Sequence, residues 1–129
     1  MIVDSSALMA ILNSEPEGDR LLRAAAAGQC RMSAGTAVEV GIVADARSAR
    51  HGERLDALLR VLEIEIEPVT ERQSEIARLA YRRFGRGSGS KASLNVGDCF
   101  SYALSVTAGE PLLFIGADFT HTDVAAHPY

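Results

Sequence analysis

The 129-residue chain has no tryptophan and only 5% aromatic residues, so it offers few flat side chains on which nucleobases could stack. Its two cysteines, Cys30 and Cys99, lie far apart in apolar surroundings and lack Cys-x-x-Cys spacing. That excludes a thiolate zinc site or a dithiol redox motif and leaves them as reduced packing residues. No apolar run approaches the roughly 20 residues of a bilayer span. Met1-Ile2-Val3-Asp4 also lacks the basic then apolar pattern of a secretory leader, so a cytoplasmic protein with no membrane segment is expected. An excess of basic charge is missing too: the formal net charge is −4, which excludes a uniformly cationic coat for nucleic acid but permits a local basic patch. His51, His121 and His127 are too scattered for a metal triad.

What is present is a 47% hydrophobic sequence with strands and helices in alternation and neither a repeat nor a linker, which predicts one domain over residues 1–129. Ile2-Val3 reads as a strand ended by Asp4, with Ser5 or Ser6 as cap of a helix carrying Leu8, Met9, Ile11 and Leu12. Helices are expected over Gly18–Ala27, from Thr36 to about Arg50, beyond Gly52 through Leu62, and from a Thr70 cap to about Phe84. Strands are expected at Cys30–Ser33, in the alternating stretch from Ile64 until Pro68 ends it, and at Leu112–Ile115, the last a continuous apolar run typical of a strand buried on both faces. Gly85–Ser93 reads as a flexible loop ahead of the final long helix. Such alternation predicts an α/β fold, a mostly parallel sheet between two helical layers. Ligands of these folds sit beyond the carboxyl ends of the strands, so Asp4 and Asp118 are expected to face one cleft.

Two further acids stand out. On a helical wheel, Glu39 is the lone acid on a face shared with Ile42, Val43 and Ala46, where an ionised carboxylate is costly unless it is paired or binds a metal. Asp98, in Leu94-Asn95-Val96-Gly97-Asp98, shares a polar stripe with Ser101, Tyr102 and Ser105. Asn95 followed by Asp98 also has the spacing of a capping box, so Asp98 reads equally as a helix cap and as a catalytic group. Converging carboxylates repel one another by about 4 kcal/mol at 4 Å and an effective dielectric of 20, so such a cluster calls for a cation. Oxygen ligands select Mg²⁺ or Mn²⁺, which suits phosphodiester hydrolysis.

The stretches I-V-D-S-S-A-L, T-A-V-E-V, L-N-V-G-D-C-F-S-Y-A-L and L-L-F-I-G-A-D-F-T-H-T-D, in this order and spacing, resemble the PIN-domain ribonucleases of the VapC toxin type over essentially the whole chain. The resemblance implies a three-layer α/β/α, PIN-like fold in which Asp4, Glu39, Asp98 and Asp118 form an acidic pocket for Mg²⁺ or Mn²⁺. It also implies that Ser5 or Ser6 and the Asn95 amide orient the carboxylates or the attacking water, with Asp123 supporting the site from its margin. Ser5 stands where the family commonly has Thr, an exchange that keeps the hydroxyl. Cleavage of single-stranded regions in structured RNA, tRNA or rRNA, and restraint by a cognate antitoxin follow from the same resemblance. A homodimer is expected from it and from the alanine-rich helices, with a higher assembly on the antitoxin.

No acid occurs from Ile76 to Gly97, whereas Arg82, Arg83, Arg86 and Lys91 do, and this basic island is the candidate grip on RNA phosphates. Two other readings compete with a nuclease. One is an RNA-binding module that blocks translation by occupancy with little cleavage. The other is a phosphotransferase resembling the haloacid dehalogenases, which also begin with a strand ending in Asp, although Ser6 stands where that family requires a second Asp.

Overall fold

β1 spans only Ile2–Val3 because Asp4 turns its carboxylate onto the Ser6 amide (3.0 Å) and becomes the N-cap of α1 (Ser5–Leu12). The cap is thus the acid itself and not Ser5 or Ser6. The computed structural model describes all residues from 1 to 129, and the chain continues through α2 (Gly18–Ala26), β2 (Arg31–Ser33), α3 (Ala34–Arg47), α4 (Ala49–Val61), β3 (Glu65–Glu67), α5 (Glu71–Phe84), α6 (Val96–Ala108) and β4 (Leu112–Leu113). A short 3-10 helix, Asp118–His121, follows β4.

The sheet is parallel throughout, in the order β3-β2-β1-β4. Period-two alternation divides its side chains between two cores. Val3, Met32 and Leu113 join Leu8, Leu21, Val40 and Leu55 on the α1–α4 side. Ile2, Leu112 and Phe114 join Phe84, Leu94, Cys99 and Tyr102 on the α5–α6 side. The result is the three-layer α/β/α arrangement anticipated from the alternation of elements. The strand order reverses at β1, whose neighbours β2 and β4 leave in opposite directions, so the crevice beyond the carboxyl end of β1 is the topological place for a site.

Three local expectations change. The helix expected from Thr36 to about Arg50 starts at Ala34, capped by Ser33, and ends at Arg47, because the extended Ser48 both closes α3 and caps α4 through the His51 amide (3.1 Å). Gly52 therefore lies inside α4, packed against Asp45, and does not separate the helices. Leu112–Ile115 pairs only at Leu112 and Leu113.

A further change concerns faces. The α3 face singled out by the wheel points outward, with Ile42 63% and Val43 45% exposed, while Thr36, Val40 and Ala44 are buried. A helix rich in Val, Ile and Ala has apolar groups on more than one side, so periodicity could not choose between them. The polar stripe of α6 is likewise not a solvent face: Asp98, Ser101, Tyr102 and Ser105 are all buried.

Candidate active site

Four acids meet around the carboxyl end of the sheet, each delivered by a different element. Asp4 leaves β1 and is 2% exposed; Asp98 sits in the first turn of α6 and is 7% exposed. Glu39 lies in the second turn of α3, which starts directly after β2, and Asp118 begins the 3-10 helix after β4. The charges of Asp4, Asp118 and Glu39 all act on Asp98, and that of Asp4 acts on Glu39. Asp118 is exposed, and no three His, Cys, Asp or Glu side chains are drawn together at metal-ligating spacing. The carboxylates surround the crevice without collapsing into one coordination sphere, as mutual repulsion of like charges requires.

Each of the inner acids is held by donors of the chain. Ser101 Oγ donates to Asp4 Oδ1 (2.6 Å), and Thr36 Oγ1 lies 3.0 Å from Ser101 Oγ. Because the single Ser101 proton goes to Asp4, Thr36 is the donor in the second bond. Sequence reasoning missed both hydroxyls as site residues; the available signal was Ser101 at i+3 from Asp98 on the polar stripe of α6. Ser5 Oγ donates to Glu39 Oε1 (3.1 Å), so Ser5 is the serine that orients a carboxylate through its side chain. Ser6 acts through its backbone amide on Asp4, while its hydroxyl accepts the Ile115 amide (3.2 Å) and ties α1 to the strand end that leads to Asp118.

Asn95 and Asp98 close a full capping box: Asn95 Oδ1 accepts the Asp98 amide (2.8 Å) and the Asn95 backbone amide donates to Asp98 Oδ2 (2.9 Å). Asn95 thus orients Asp98 by its backbone, and its side chain is spent on the helix end. Asp123, expected at the margin of the acidic pocket, has other partners. It accepts the Tyr102 hydroxyl (2.6 Å) and the Arg83 guanidinium (3.2 Å), fastening the chain after the 3-10 helix to α5 and α6. Arg83 also lies over the Phe84 ring (4.6 Å), a contact that Arg82, Arg86 and Lys91 do not share. Those three are exposed on the end of α5 and the following loop.

Burial pushes the Asp98 carboxyl up to about 7, aided by the neighbouring acids and opposed by the Asn95 amide. Burial, with a contribution from Asp4, also raises Glu39, against the Ser5 hydrogen bond. Glu39 Oε2 is buried and has no hydrogen-bond partner. A buried carboxylate oxygen without a donor is expensive, and in a set of hard oxygen ligands a divalent cation of the Mg²⁺ type satisfies it. The residues present therefore fit such an ion. Cys99 is no nucleophile: burial pushes its thiol up to about 11, and it donates to the Asn95 carbonyl (3.3 Å).

Residues 1–125 match the family model described as PIN domain. The chain is 50% identical over 126 residues to a VapC ribonuclease of Mycobacterium bovis, covering 96% of this chain and 95% of the relative. It is 46% identical over 128 residues to the Ribonuclease VapC of Mycolicibacterium smegmatis, covering 98% of both. Among solved structures, the Sarcin-Ricin loop cleaving toxin VapC20 of Mycobacterium tuberculosis superposes with a TM-score of 0.74 at 18% identity, covering 96% of this chain and 95% of that one. A toxin-antitoxin complex from Klebsiella pneumoniae gives a TM-score of 0.73 at 18% identity, with coverages of 99% and 97%. With the fold, the acid ring and these likenesses in agreement, the chain belongs to the PIN-domain family, among the VapC ribonucleases.

Proposed function

We propose that this chain is the toxin of a toxin-antitoxin pair, a Mg²⁺- or Mn²⁺-dependent endoribonuclease that hydrolyses phosphodiester bonds in structured RNA, tRNA or rRNA, in the cytoplasm. The observation that carries the reading is the unpartnered, buried Glu39 Oε2 beside an Asp98 carboxyl raised to about 7. Acids held in this state gain most from a cation, and the other polar groups around them are already committed to orienting them.

Asp4, Asp98 and Asp118 would hold the ion, with Glu39 completing the pocket and positioning water. A bound Mg²⁺ or Mn²⁺ would supply positive charge for the developing phosphoryl oxyanion and acidify a water molecule. The chain supplies the rest. Ser101 and the Ser6 amide keep both oxygens of Asp4 fixed, so Asp4 can turn neither away nor into the core. Ser5 anchors one oxygen of Glu39, and the other, buried without a donor, keeps its accepting capacity free, which suits Glu39 to position an attacking water.

Arg82, Arg86 and Lys91 are the proposed grip on phosphates, and Arg83 contributes less because Asp123 already pairs with it. A cognate antitoxin is the proposed partner, as for the complexes among the structural relatives. A homodimer is supported by the outward apolar groups of α3, Val38 and Ile42, each 63% exposed. Purified protein is expected to cleave RNA in Mg²⁺ or Mn²⁺ and to stop on addition of EDTA. Cleavage that persists in EDTA rules out the metal-dependent mechanism.

A further inference from the structure

Gly97 stands in the first turn of α6 at an ordinary helical φ, so its backbone conformation does not require glycine. Glycine is nevertheless a poor helix former. What the position does require is space. A Cβ at Gly97 would collide with Oε2 and Cδ of Glu39 and lie 2.8 Å from Oε1. The Glu39 carboxylate therefore rests directly on the α6 backbone, one residue before Asp98.

The facing helix repeats the device in the opposite sense. A Cβ at Gly35 of α3 would lie 2.5 to 2.8 Å from the ring atoms of Phe100 on α6. Gly35 and Glu39 are one turn apart on α3, and Gly97 and Phe100 are one turn apart on α6. Each helix thus offers a glycine notch to a side chain of the other, and the two contacts together set the height of α3 against α6.

We propose that Gly97 is a positioning residue: the absence of its side chain is what seats the Glu39 carboxylate beside Asp98, with Gly35 and Phe100 fixing the register of the two helices. The groups that would be displaced lie at the far end of a flexible side chain. A methyl at position 97 therefore moves Glu39 off its seat and off Ser5 without dismantling the fold. Rotation of the carboxylate by one methyl radius is enough to misplace a water-positioning group, and misplacement by about 1 Å costs on the order of 100-fold in rate.

The inference rests on the proposed ribonuclease role of Glu39, and a mutant cycle separates the two. Gly97→Ala, Glu39→Asp and the double variant are compared with the parent, and Glu39→Gln tests the role itself. The readouts are RNA cleavage, Mn²⁺ binding to the RNA-free protein by calorimetry, and the metal-free thermal midpoint. Gly97→Ala is expected to lower kcat about 100-fold with KM little changed, and to weaken Mn²⁺ binding about tenfold. Its thermal midpoint is expected to be equal or higher, since alanine is the better helix former.

In the Glu39→Asp background the shorter side chain stops before the notch, so adding Gly97→Ala should change both kcat and Mn²⁺ affinity by no more than about twofold. Equal losses in both backgrounds, parental cleavage and Mn²⁺ affinity in Gly97→Ala, or unfolding that Glu39→Asp does not reverse would each overturn the proposal. Full cleavage by Glu39→Gln removes the underlying role of Glu39. Inactive Glu39→Gln beside fully active Gly97→Ala removes the positioning role alone.

Discussion

Both ends of the sheet gather carboxylates, and they treat them in opposite ways. At the amino end, Arg31 of β2 pairs with Glu67 (3.0 Å) and with Glu110, which also meets the Met1 ammonium (2.9 Å). The ammonium and the guanidinium hold the Glu110 carboxyl below its usual range, and Glu110 with Glu67 raises Arg31. At the carboxyl end no cation of the chain enters the acid ring; burial and neighbouring acids push Glu39 and Asp98 upward. One end is electrostatically closed, and the other holds negative charge in reserve. Paired acids at a sheet end are a structural device, whereas acids of like sign kept together against their own repulsion mark the place where a partner of opposite charge is used.

The largest effect should come from neutralising the ring. Asp98→Asn is expected to reduce RNA cleavage by at least about 100-fold, measured as initial rate in Mn²⁺, while the amide oxygen retains the cap and the loss of one buried charge leaves neutral-pH stability undiminished. Parental cleavage by Asp98→Asn would erase the distinction between the two ends. Ser101→Ala comes next: it strips the donor from the 2%-exposed Asp4 and the acceptor from Thr36. A loss of about 1 to 3 kcal/mol in urea unfolding and about tenfold in cleavage is expected. Unchanged stability would show that Asp4 finds another donor.

The pH response sharpens the contrast further. Asp98 titrates near 7 in the folded chain against a reference of 3.8, so the folded state holds this proton more tightly than the unfolded one. Its contribution to stability is complete below about pH 4 and is lost as pH rises through 7. The metal-free protein should therefore show a falling contribution to its thermal midpoint between pH 4 and 7, and Asp98→Asn should flatten that part of the profile relative to the parent. Parallel profiles would remove Asp98 as the titrating group. The smallest effect is expected at the closed end. Arg31→Ala should cost about 1 kcal/mol in urea unfolding, because its half-buried partners still reach solvent and Glu110 keeps the Met1 ammonium, and should leave cleavage at the parental rate. A loss of cleavage there would mean that the two ends are coupled.

The legible parts of the sequence were those in which neighbouring residues decide the outcome. The Asn95 and Asp98 capping box, the Thr70 cap and the glycine-rich loop at Gly85–Ser93 depend on short-range hydrogen bonds and backbone freedom, and all appear where expected. The illegible parts depended on which neighbour a face meets. Glu39 was singled out for sharing a buried apolar side with Ile42 and Val43, yet those residues point outward and Glu39 is half-buried because Ser5 and α6 lie over it. The family resemblance puts Asp123 at the margin of the acids, and its hydrogen bonds go instead to Tyr102 and Arg83.

By itself the sequence determined the α/β alternation, the caps at Thr70 and Asn95 and the four candidate acids, because apolar period, short-range capping and charge are local properties of the chain. Only the tertiary structure decided how those acids are held. The Thr36, Ser101 and Asp4 relay, the unpartnered Glu39 Oε2 and the notch at Gly97 each join residues from different elements. Their geometry follows from the parallel order of β2, β1 and β4 and from the close packing of α3 on α6, which no local rule contains.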